Sequence, residues 1–337
     1  MPIDLNDQPR IALGHWPTPL EDCPRLSEAL GGPRILVKRD DVNGLGAGGN
    51  KLRKLEFLLG AALADGADTI ITFGAVQTNH GRQTAAACAR LGLRCELVLT
   101  KAVPMSGAAY EQSGNILLDG LYGANVHLCA DGDESVAAYE RIVETAAAEG
   151  RKTATLPVGG SNAVGVLGYV AAVAELRAQL GDLHVDRIVV AVGSAGTAAG
   201  LAAGISLSDW PVQLNGACIS HTVAESEADI RRLVDETGAL LGTPIANLGH
   251  VLLDDSAVGP GYGVPTPQMW DALRLFARTE GITLDPVYSG KAAASLVEAV
   301  GTGAIGADET IVFVHTGGLP GLFAYAPELV RLSEIPE

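Results

Sequence analysis

The stretch RIVVAVGSAGTAAG, residues 187–200, decides the fold of this chain of 337 residues. Its first part, Arg187–Val192, is a short β-branched run that predicts a buried strand, and the glycines after it mark a tight turn. The alanine-rich remainder predicts a helix. A strand that passes through a glycine turn into a helix is the repeating unit of a parallel sheet covered by helices, so the stretch indicates an α/β fold.

The same alternation of short β-branched runs and longer alanine-rich segments continues along the chain. It predicts parallel sheets covered on both faces, with ligands bound beyond the carboxyl ends of the strands. The predicted strands are Arg34–Lys38, Thr69–Phe73, Cys95–Leu99, Asn125–Leu128, Lys152–Leu156, Arg187–Val192, Gln213–Cys218 and Thr310–His315. The predicted helices are Leu52–Asp65, Asn79–Leu91, Gly114–Leu121, Ser135–Glu149, Ala163–Leu180, Thr197–Ser206, Glu225–Leu240, Thr266–Glu280 and Gly290–Ala299.

The turn Gly193–Gly200 suits a phosphate group. Backbone N–H groups and the helix dipole face one point there, and Ser194 and Thr197 add hydroxyl donors. A dinucleotide-binding turn would have glycine where Ala195 stands and an acidic residue after the next strand, but Val212–Cys218 leads into Ile-Ser-His. The lysine of a P-loop is also missing. The turn therefore fits a cofactor with a single phosphate better than it fits NAD or ATP. The alternative interpretation is that the small residues of this turn serve helix–strand packing alone.

A second glycine-containing stretch, GGNKLRKLE at residues 48–56, places Lys51 at the start of a predicted helix. Glycines let the backbone approach a ligand closely, and the positive potential of a helix N-terminus disfavours a further positive charge on the amine. Arg53 and Lys54 act in the same direction. Lys51 is therefore a candidate nucleophile with a lowered pKa, of the kind that forms a Schiff base. The alternative is a solvated basic turn.

Further turns place polar side chains where ligands bind in such folds. Thr78, Asn79 and His80 follow a predicted strand and open a helix, a position that holds a carboxylate or a phenolic oxygen well. Thr78 or Asn79 can instead serve only as an N-cap, and His80 can be a packing histidine. Tyr262 and Tyr288 stand in glycine-containing turns, which favours phenols exposed to a ligand over core aromatic residues.

The composition limits the classes of function. The net charge is 23 − 39 = −16, which disfavours binding to nucleic acids and to anionic membrane surfaces. The length and the apolar fraction of 47% predict a large core and two domains. Five cysteines without a CxxC pair argue against a disulfide framework and a metal site, so we expect a reducing, cytoplasmic setting. The uncharged stretches Thr153–Ala174 and Ile188–Ser208 approach membrane-span length, but glycine and polar residues interrupt both, so we interpret them as strand–loop–helix units.

Seven motifs follow one another along the chain: Pro17–Leu20, Lys38–Asp41, Gly49–Lys51, Gln77–Gln83, Gly160–Asn162, Leu284–Lys291 and His315–Gly318. Together and in this order they resemble the pyridoxal-phosphate (PLP) enzymes of the D-cysteine desulfhydrase and 1-aminocyclopropane-1-carboxylate (ACC) deaminase family. The resemblance implies the tryptophan synthase β-like fold (fold type II), pyridoxal 5'-phosphate as cofactor, and usually a homodimer. It also implies a large PLP-binding domain at residues 1–51 and 161–337, with a smaller α/β domain at residues 52–160 inserted in it.

The resemblance also implies roles for individual residues. Lys51 is similar to the Schiff-base lysine, and Asn79 to the residue that faces the phenolic oxygen of the cofactor. Tyr262 and Tyr288 correspond to tyrosines close to the reacting carbon. The implied cofactor-binding residues are Asn50, Lys51, Lys54, Asn79, Gly193, Ser194, Ala195, Gly196, Thr197, Ser289 and Thr316. The implied substrate-binding residues are Thr78, Asn79, His80, Ser161, Tyr262 and Tyr288, and the implied catalytic residues are Lys51, Thr78, Tyr262 and Tyr288.

Within the family, the residue after the active-site tyrosine discriminates between reactions. ACC deaminases carry glutamate there, near the pyridine nitrogen, whereas this chain has Ser289, with Thr316 in the His-Thr-Gly-Gly turn. A hydroxyl leaves the ring nitrogen neutral and the electron sink weaker, which is adequate for β-elimination of a good leaving group. We therefore expect a carbon–sulfur lyase that acts on a small amino acid, with D-cysteine as the best single substrate.

Alternatives remain open at this point. L-cysteate, with release of sulfite, would need an additional cation or donor such as His80 or His221, and ACC deamination is disfavoured by the missing glutamate. From other classes, the chain can be a non-catalytic ligand sensor or an NAD-dependent oxidoreductase. The chain also departs from the family at Thr78, usually serine, at Gly81, usually larger, and at Ala195, usually glycine, which leaves the substrate open.

Overall fold

The computed structural model describes residues 5–333. Residues 1–4 and 334–337, the ends of the predicted larger domain, lie outside the described part. The strands are β1 Leu20–Asp22, β2 Arg34–Arg39, β3 Thr69–Ala75, β4 Arg94–Thr100, β5 Asn125–Cys129, β6 Thr153–Leu156, β7 Arg187–Val192, β8 Gln213–Cys218, β9 Val251–Asp254 and β10 Thr310–His315. The helices are α1 Pro24–Ala29, α2 Lys51–Ala64, α3 Asn79–Leu91, α4 Ala108–Gln112, α5 Asn115–Leu121, α6 Gly132–Ala148, α7 Ala163–Leu180, α8 Gly196–Leu207, α9 Val223–Leu240, α10 Pro267–Glu280, α11 Ser289–Gly301, α12 Leu319–Ala324 and α13 Ala326–Ser333.

The strands form two sheets. The larger has the order β1-β2-β10-β7-β8-β9 and the smaller has the order β5-β4-β3-β6. Neighbouring strands are parallel except β1, which pairs antiparallel with β2. The predicted α/β fold with parallel-rich sheets covered by helices is therefore confirmed.

The predicted elements differ from the structure mainly where elements are short. All eight predicted strands and all nine predicted helices are present, with strand ends within two residues of the prediction. The prediction missed β1, β9 and the helices α1, α4, α12 and α13. These elements are too short to show a period in the sequence, and β1 and β9 are edge strands that bury little apolar surface.

Both faces of the larger sheet are buried, as βα alternation predicts. Along β7, Val189 packs into the core on the side of α10 and α11, whereas Ile188 and Val190 pack into the core on the side of α7 and α8. In β2, Ile35 and Leu36 divide between the two cores in the same way. Each such side chain contributes roughly 1.5–3 kcal/mol when fully buried, so the sheet is a rigid support for the loops at its carboxyl edge.

The strands divide between the sheets along the chain. Strands β3 to β6, within residues 69–156, form the smaller sheet, and the other strands form the larger. The predicted boundary between residues 51 and 52 falls inside the first turn of α2, which packs against both α7 and α3. The domain boundaries themselves stay a prediction.

Among the described residues, one helix, α7, is long and apolar enough to cross a membrane by length and composition. More than half of it (56%) is buried inside the protein, where it packs against α2, α8 and α9. A core helix passes the same test, so α7 is weak evidence for a membrane span.

Candidate active site

Loops at the carboxyl edges of both sheets meet around one cavity of about 650 Å³. A narrow pocket of about 20 Å³ adjoins it at the start of α8, and Lys51, Gly193, Ser194 and Tyr288 line both. The narrow pocket is also lined by Asn50, Asn79, Ala191, Ala195, Thr197 and Thr316. The cavity is also lined by Phe73, Gly74, Ala75, Thr78, His80, Val98, Thr100, Ala102, Ser135, Val158, Gly159, Ser220, His221 and Tyr262.

Lys51 is the first residue of α2 and points its amine into this space. The Nζ atom makes no hydrogen bond with any described residue and lies 5.9 Å from the centre of the Tyr288 ring. Burial lowers the pKa of Lys51 from its ordinary value to about 8, and the charge of Asp285 opposes that shift. The preceding Gly48 has φ +67°, and a Cβ there would collide with the Asp41 carbonyl, so the loop needs glycine. The alternative of a solvated basic turn does not describe this lysine.

The turn before α8 forms a cradle of a shape that suits an anion. Ala195 has a left-handed backbone (φ 58°) and no side chain caps α8, so no side-chain acceptor satisfies the first N–H groups of the helix. The left-handed conformation also explains why glycine is the more usual residue at this position. Asn50 donates to the Thr197 hydroxyl over 2.9 Å, which ties the cradle to the residue before Lys51.

The amine of Lys54 lies behind this cradle. It is buried and donates to the Gly159 carbonyl (3.1 Å) and the Ser161 hydroxyl (3.3 Å). Ser161 lies 2.9 Å from the Ser194 hydroxyl, so it reaches the cradle through Ser194 although it does not line the cavity. Burial and then the charge of Lys51 hold the pKa of Lys54 well below its usual value, which an anion in the cradle would reverse. A Cβ on Gly196 would lie 2.7 Å from the Lys54 amine, so only glycine leaves this room.

Arg82 and Asn115, which the sequence did not single out, orient Asn79. Arg82 has donors only, and its Nε donates to Asn115 Oδ1 over 2.7 Å. The amide nitrogen of Asn115 therefore faces Asn79, whose Oδ1 accepts from it over 2.9 Å. As a consequence, the NH₂ group of Asn79 is the part left to face the pocket. Arg82 also donates to the carbonyls of Gly46 and Gly48, which ties α3 to the loop before Lys51.

Thr78 caps α3, and its methyl group explains a second departure from the family pattern. Its hydroxyl accepts from the Gly81 N–H over 3.2 Å and keeps its own proton for a ligand in the cavity. A Cβ on Gly81 would lie 2.5 Å from the Thr78 methyl carbon. Thr78 and Gly81 are thus one paired change, because the methyl group occupies the space of a side chain at position 81.

His80 is a neutral acceptor. Thr72 donates its single hydroxyl proton to the Leu156 carbonyl (3.0 Å), so its oxygen accepts from His80 Nε2, 3.1 Å away. The proton is therefore assigned to Nε2, and the buried Nδ1 has no partner among the described residues. Burial, followed by the charges of Lys51 and Lys54, holds the pKa of His80 well below its usual value. His80 lines the cavity without supplying a cation there.

Tyr262 and Tyr288 form a hydrogen-bonded pair beside Lys51. Their hydroxyl oxygens are 2.7 Å apart, and burial raises the pKa of both phenols, so both are protonated at neutral pH. Lys291, on the first turn of α11, donates to the carbonyls of Val258 (2.6 Å) and Gly261 (2.9 Å). The loop that carries Tyr262 is thereby fastened to the helix that Tyr288 precedes.

Ser289 and Thr316 differ in their position relative to the pocket, because Thr316 lines it and Ser289 does not. The Ser289 hydroxyl donates to Asp285 Oδ1 over 2.6 Å and accepts from the Asp285 N–H over 2.8 Å. The predicted role of Ser289 in binding the cofactor stays a prediction, although Ser289 is fully buried and does not line the pocket. The cause is the turn itself, because Asp285 also accepts from the N–H groups of the next residues and holds Ser289 inward. Thr316 lines the pocket and supplies the hydroxyl.

One family model and several solved structures are similar to this chain. The family model described as "Pyridoxal-phosphate dependent enzyme" matches residues 11–317. A solved structure of an ACC deaminase homologue is 38% identical, with 97% of both chains covered and a TM-score of 0.87. A fungal L-serine ammonia-lyase from Rhizomucor miehei is 20% identical (96% of this chain and 99% of the other, TM-score 0.65). A hydrogen sulfide-producing enzyme from Fusobacterium nucleatum is 18% identical (91% and 96%, TM-score 0.63). The last two likenesses show the fold alone.

Proposed function

We propose that this chain, which belongs to the pyridoxal-phosphate dependent enzyme family, is a β-eliminating carbon–sulfur lyase with D-cysteine as its best single substrate. The cofactor expected from the sequence is confirmed by that membership, which removes the NAD-dependent alternative. The observation that carries the proposal is the lining of the site. Among the described residues, Thr316 lines the pocket together with Lys51 and uncharged groups, and no carboxylate lines it.

The residues present fit the cofactor. The uncapped start of α8, with Ser194, Thr197 and the buried Lys54 behind them, suits its phosphate. The free NH₂ of Asn79 suits its phenolic oxygen, and the Thr316 hydroxyl suits its ring nitrogen. Lys51 is the amine that would hold it. When bound, the cofactor supplies an electron sink for the charge that develops at the substrate Cα.

Residues of the chain bind the substrate carboxylate and transfer the protons of the reaction. Thr78 and the start of α3 bind the substrate carboxylate, because a free hydroxyl proton and helix N–H groups meet there. The Lys51 amine, with its lowered pKa, is the base for the Cα proton near pH 8. The pair Tyr262–Tyr288 holds a proton for the departing sulfur, since both phenols stay protonated. The products are pyruvate, ammonia and hydrosulfide.

A neutral hydroxyl at the ring nitrogen supports elimination over ACC deamination. A carboxylate there would keep the nitrogen protonated and strengthen the sink, which a reaction without a good leaving group needs. L-cysteate is disfavoured as well, because His80 is neutral and its Nε2 is bonded to Thr72. The exposed His221 is the remaining histidine of the lining.

The test is an assay of the purified holoprotein with D-cysteine, L-cysteine, L-cysteate and ACC. Release of sulfide and pyruvate from D-cysteine is the expected result. Sulfite from L-cysteate or 2-oxobutanoate from ACC, with no sulfide from cysteine, would overturn the substrate proposal. The variant Lys51→Ala should lose both turnover and the visible absorption of the bound cofactor. Ligand affinity that survives this change in a protein without turnover would favour the sensor alternative.

For assembly and location, we propose a homodimer in the cytoplasm. The five cysteines are free and buried, which agrees with a reducing compartment. Size-exclusion chromatography with light scattering measures the mass of the assembly. The mass of a single chain would contradict the proposed homodimer.

A further inference from the structure

Asp285 is a buried carboxylate next to the candidate active site that the proposed reaction does not use. It is 2% exposed and lines neither the narrow pocket nor the larger cavity. A buried charge is unfavourable unless hydrogen bonds or other charges compensate it. The contacts of Asp285 place it against the two turns that carry Tyr288 and Thr316, and its charge acts on Lys51.

The carboxylate of Asp285 holds the turn before α11. Its Oδ2 accepts from the N–H groups of Val287 (2.9 Å) and Tyr288 (3.0 Å). Its Oδ1 accepts from the N–H group (2.8 Å) and the hydroxyl (2.6 Å) of Ser289. Four donors use the whole acceptor capacity of an ionised carboxylate. The backbone of Tyr288, from which the phenol ring reaches the cavity, is therefore held by Asp285.

The same carboxylate packs against the turn that carries Thr316. Gly318, two residues further on, has φ +108°, and a Cβ there would lie 2.6 Å from Asp285 Cγ and 2.9 Å from Oδ1. Only glycine leaves room for this contact, because four hydrogen bonds hold the carboxylate in place. Asp285 is thus in contact with two turns that supply side chains to the pocket.

The charge of Asp285 also acts on Lys51. Burial lowers the pKa of Lys51 to about 8, and among the described residues Asp285 is the one whose charge opposes that shift. The other titratable groups around the amine carry no negative charge at neutral pH: Lys54, His80, Tyr262 and Tyr288. Asp285 therefore supplies the negative charge that this amine experiences.

We propose that Asp285 is the positioning residue of this site. Its carboxylate fixes the turn of Tyr288 against the turn of Thr316 and supplies the negative charge that acts on the Lys51 amine. Without this charge the amine would be a weaker proton acceptor, because the strength of a general base follows its proton affinity. The inference rests on the proposed role of Lys51 and is independent of which amino acid the enzyme takes.

The first experiment measures the effect of the charge on Lys51. Cofactor-free wild type, Asp285→Asn and Asp254→Asn are mixed with pyridoxal phosphate over a range of pH values, and stopped-flow absorbance gives the rate of recombination. Asp254 is the matched control, since its carboxylate accepts three hydrogen bonds from Ser256 and Ser295 but does not act on Lys51. It also lines neither pocket.

The midpoint of the rate should lie roughly one pH unit lower in Asp285→Asn, because the loss of a nearby negative charge favours the neutral amine. Asp254→Asn should keep the wild-type midpoint, and the titration of pyridoxal phosphate itself is common to all three proteins. Equal midpoints in the wild type and Asp285→Asn would overturn the inference, and so would an equal shift in Asp254→Asn. If Asp285→Asn does not fold, Asp285→Ser, which leaves room for a water molecule at the four donors, gives the same measurement.

The wild type separates this inference from the proposed function. Its visible cofactor absorption should be lost in Lys51→Ala. An absorption band that survives in Lys51→Ala would overturn the role of Lys51, and with it both proposals. A band that depends on Lys51, together with an unchanged midpoint in Asp285→Asn, would overturn the role of Asp285 alone.

The second experiment measures how firmly the turn is held. Amide hydrogen exchange of the holoproteins, followed by mass spectrometry, reports on the N–H groups of Val287, Tyr288 and Ser289. Asparagine replaces one acceptor oxygen with an NH₂ group, so one pair of hydrogen bonds is lost and exchange in this segment should accelerate roughly tenfold. Asp254→Asn should leave exchange in this segment unchanged. Wild-type exchange in Asp285→Asn would overturn the role of this carboxylate in fixing the turn of Tyr288.

Discussion

Replacing Asp119 with asparagine should stabilise the protein at high pH far more than at low pH. Asp119 lies on α5, is completely buried, and neither carboxyl oxygen has a hydrogen-bond partner among the described residues. Burial raises the pKa of this carboxyl to about 8, although the nearby Arg82 charge acts in the opposite direction. The protein must therefore keep the group protonated or hold an unpaired buried charge.

The direction and size of the effect follow from proton linkage. The folded state keeps its proton up to about pH 8, whereas the unfolded state loses it near 3.8. The stability contributed by this group is therefore complete below pH 4 and is lost as the pH rises through 8. Between pH 5 and pH 9 this stability falls over about three pH units, since the fall ends near pH 8. The free energy of unfolding therefore decreases by about 4 kcal/mol. Asparagine does not titrate, so Asp119→Asn removes that loss, and its unpaired amide adds an offset that is independent of pH.

Urea unfolding of the wild type and of Asp119→Asn at pH 5 and pH 9, with equal cofactor loading, measures the effect. All other titrating groups are shared, so they cancel in the difference between the two proteins. The variant should gain on the order of 4 kcal/mol relative to the wild type between the two pH values. A difference that stays constant from pH 5 to pH 9 would refute the reasoning about this buried carboxyl.

Three further outcomes are expected. Lys291→Met should lower kcat at least about tenfold, because the loop of Tyr262 loses two hydrogen bonds donated by the Lys291 amine. Each hydrogen bond from a charged donor contributes about 1.5–3 kcal/mol. A fall in stability without a fall in kcat would contradict this prediction. Cofactor-free protein should recombine with pyridoxal phosphate faster as the pH rises through about 8, because Lys51 becomes neutral there. Stopped-flow absorbance measures the rate of recombination. A rate that rises with a midpoint near pH 10.5 would contradict the lowered pKa of Lys51. Asn115→Leu should weaken cofactor binding roughly tenfold in an absorbance titration, because the amide of Asn79 loses its orientation, and unchanged affinity would argue against that role.

Local patterns in the sequence were sufficient for the longer strands and helices and for several of the turns that line the pocket. Each predicted strand is a short apolar run between turn residues, and that pattern follows from burial on both faces of a parallel sheet. Lys51, Asn79 and Thr316 could be found because each stands beside glycine or at a helix start, and parallel strands bring such turns to one edge. Their roles in the reaction stay proposals.

Groups whose importance depends on distant partners could not be found in this way. Arg82 and Asn115 are 33 residues apart and have no local signature, yet their hydrogen bond fixes which atom of Asn79 faces the pocket. In the sequence, Thr78 and Gly81 are two separate departures from the family pattern. In the structure, the methyl group of Thr78 occupies the space that a side chain at position 81 would need. A single sequence does not contain those distances.

The sequence by itself determined the α/β architecture, the family and the cofactor, because strand period, glycine turns and motif order are local properties of the chain. The tertiary structure alone decided that Ser289 bonds to Asp285 and does not line the pocket, that His80 Nε2 is bonded to Thr72, and that Lys51, Tyr262 and the end of β3 line one cavity. These properties depend on which atoms compete for one proton or share one volume. That competition is settled only when segments distant in the chain have packed together.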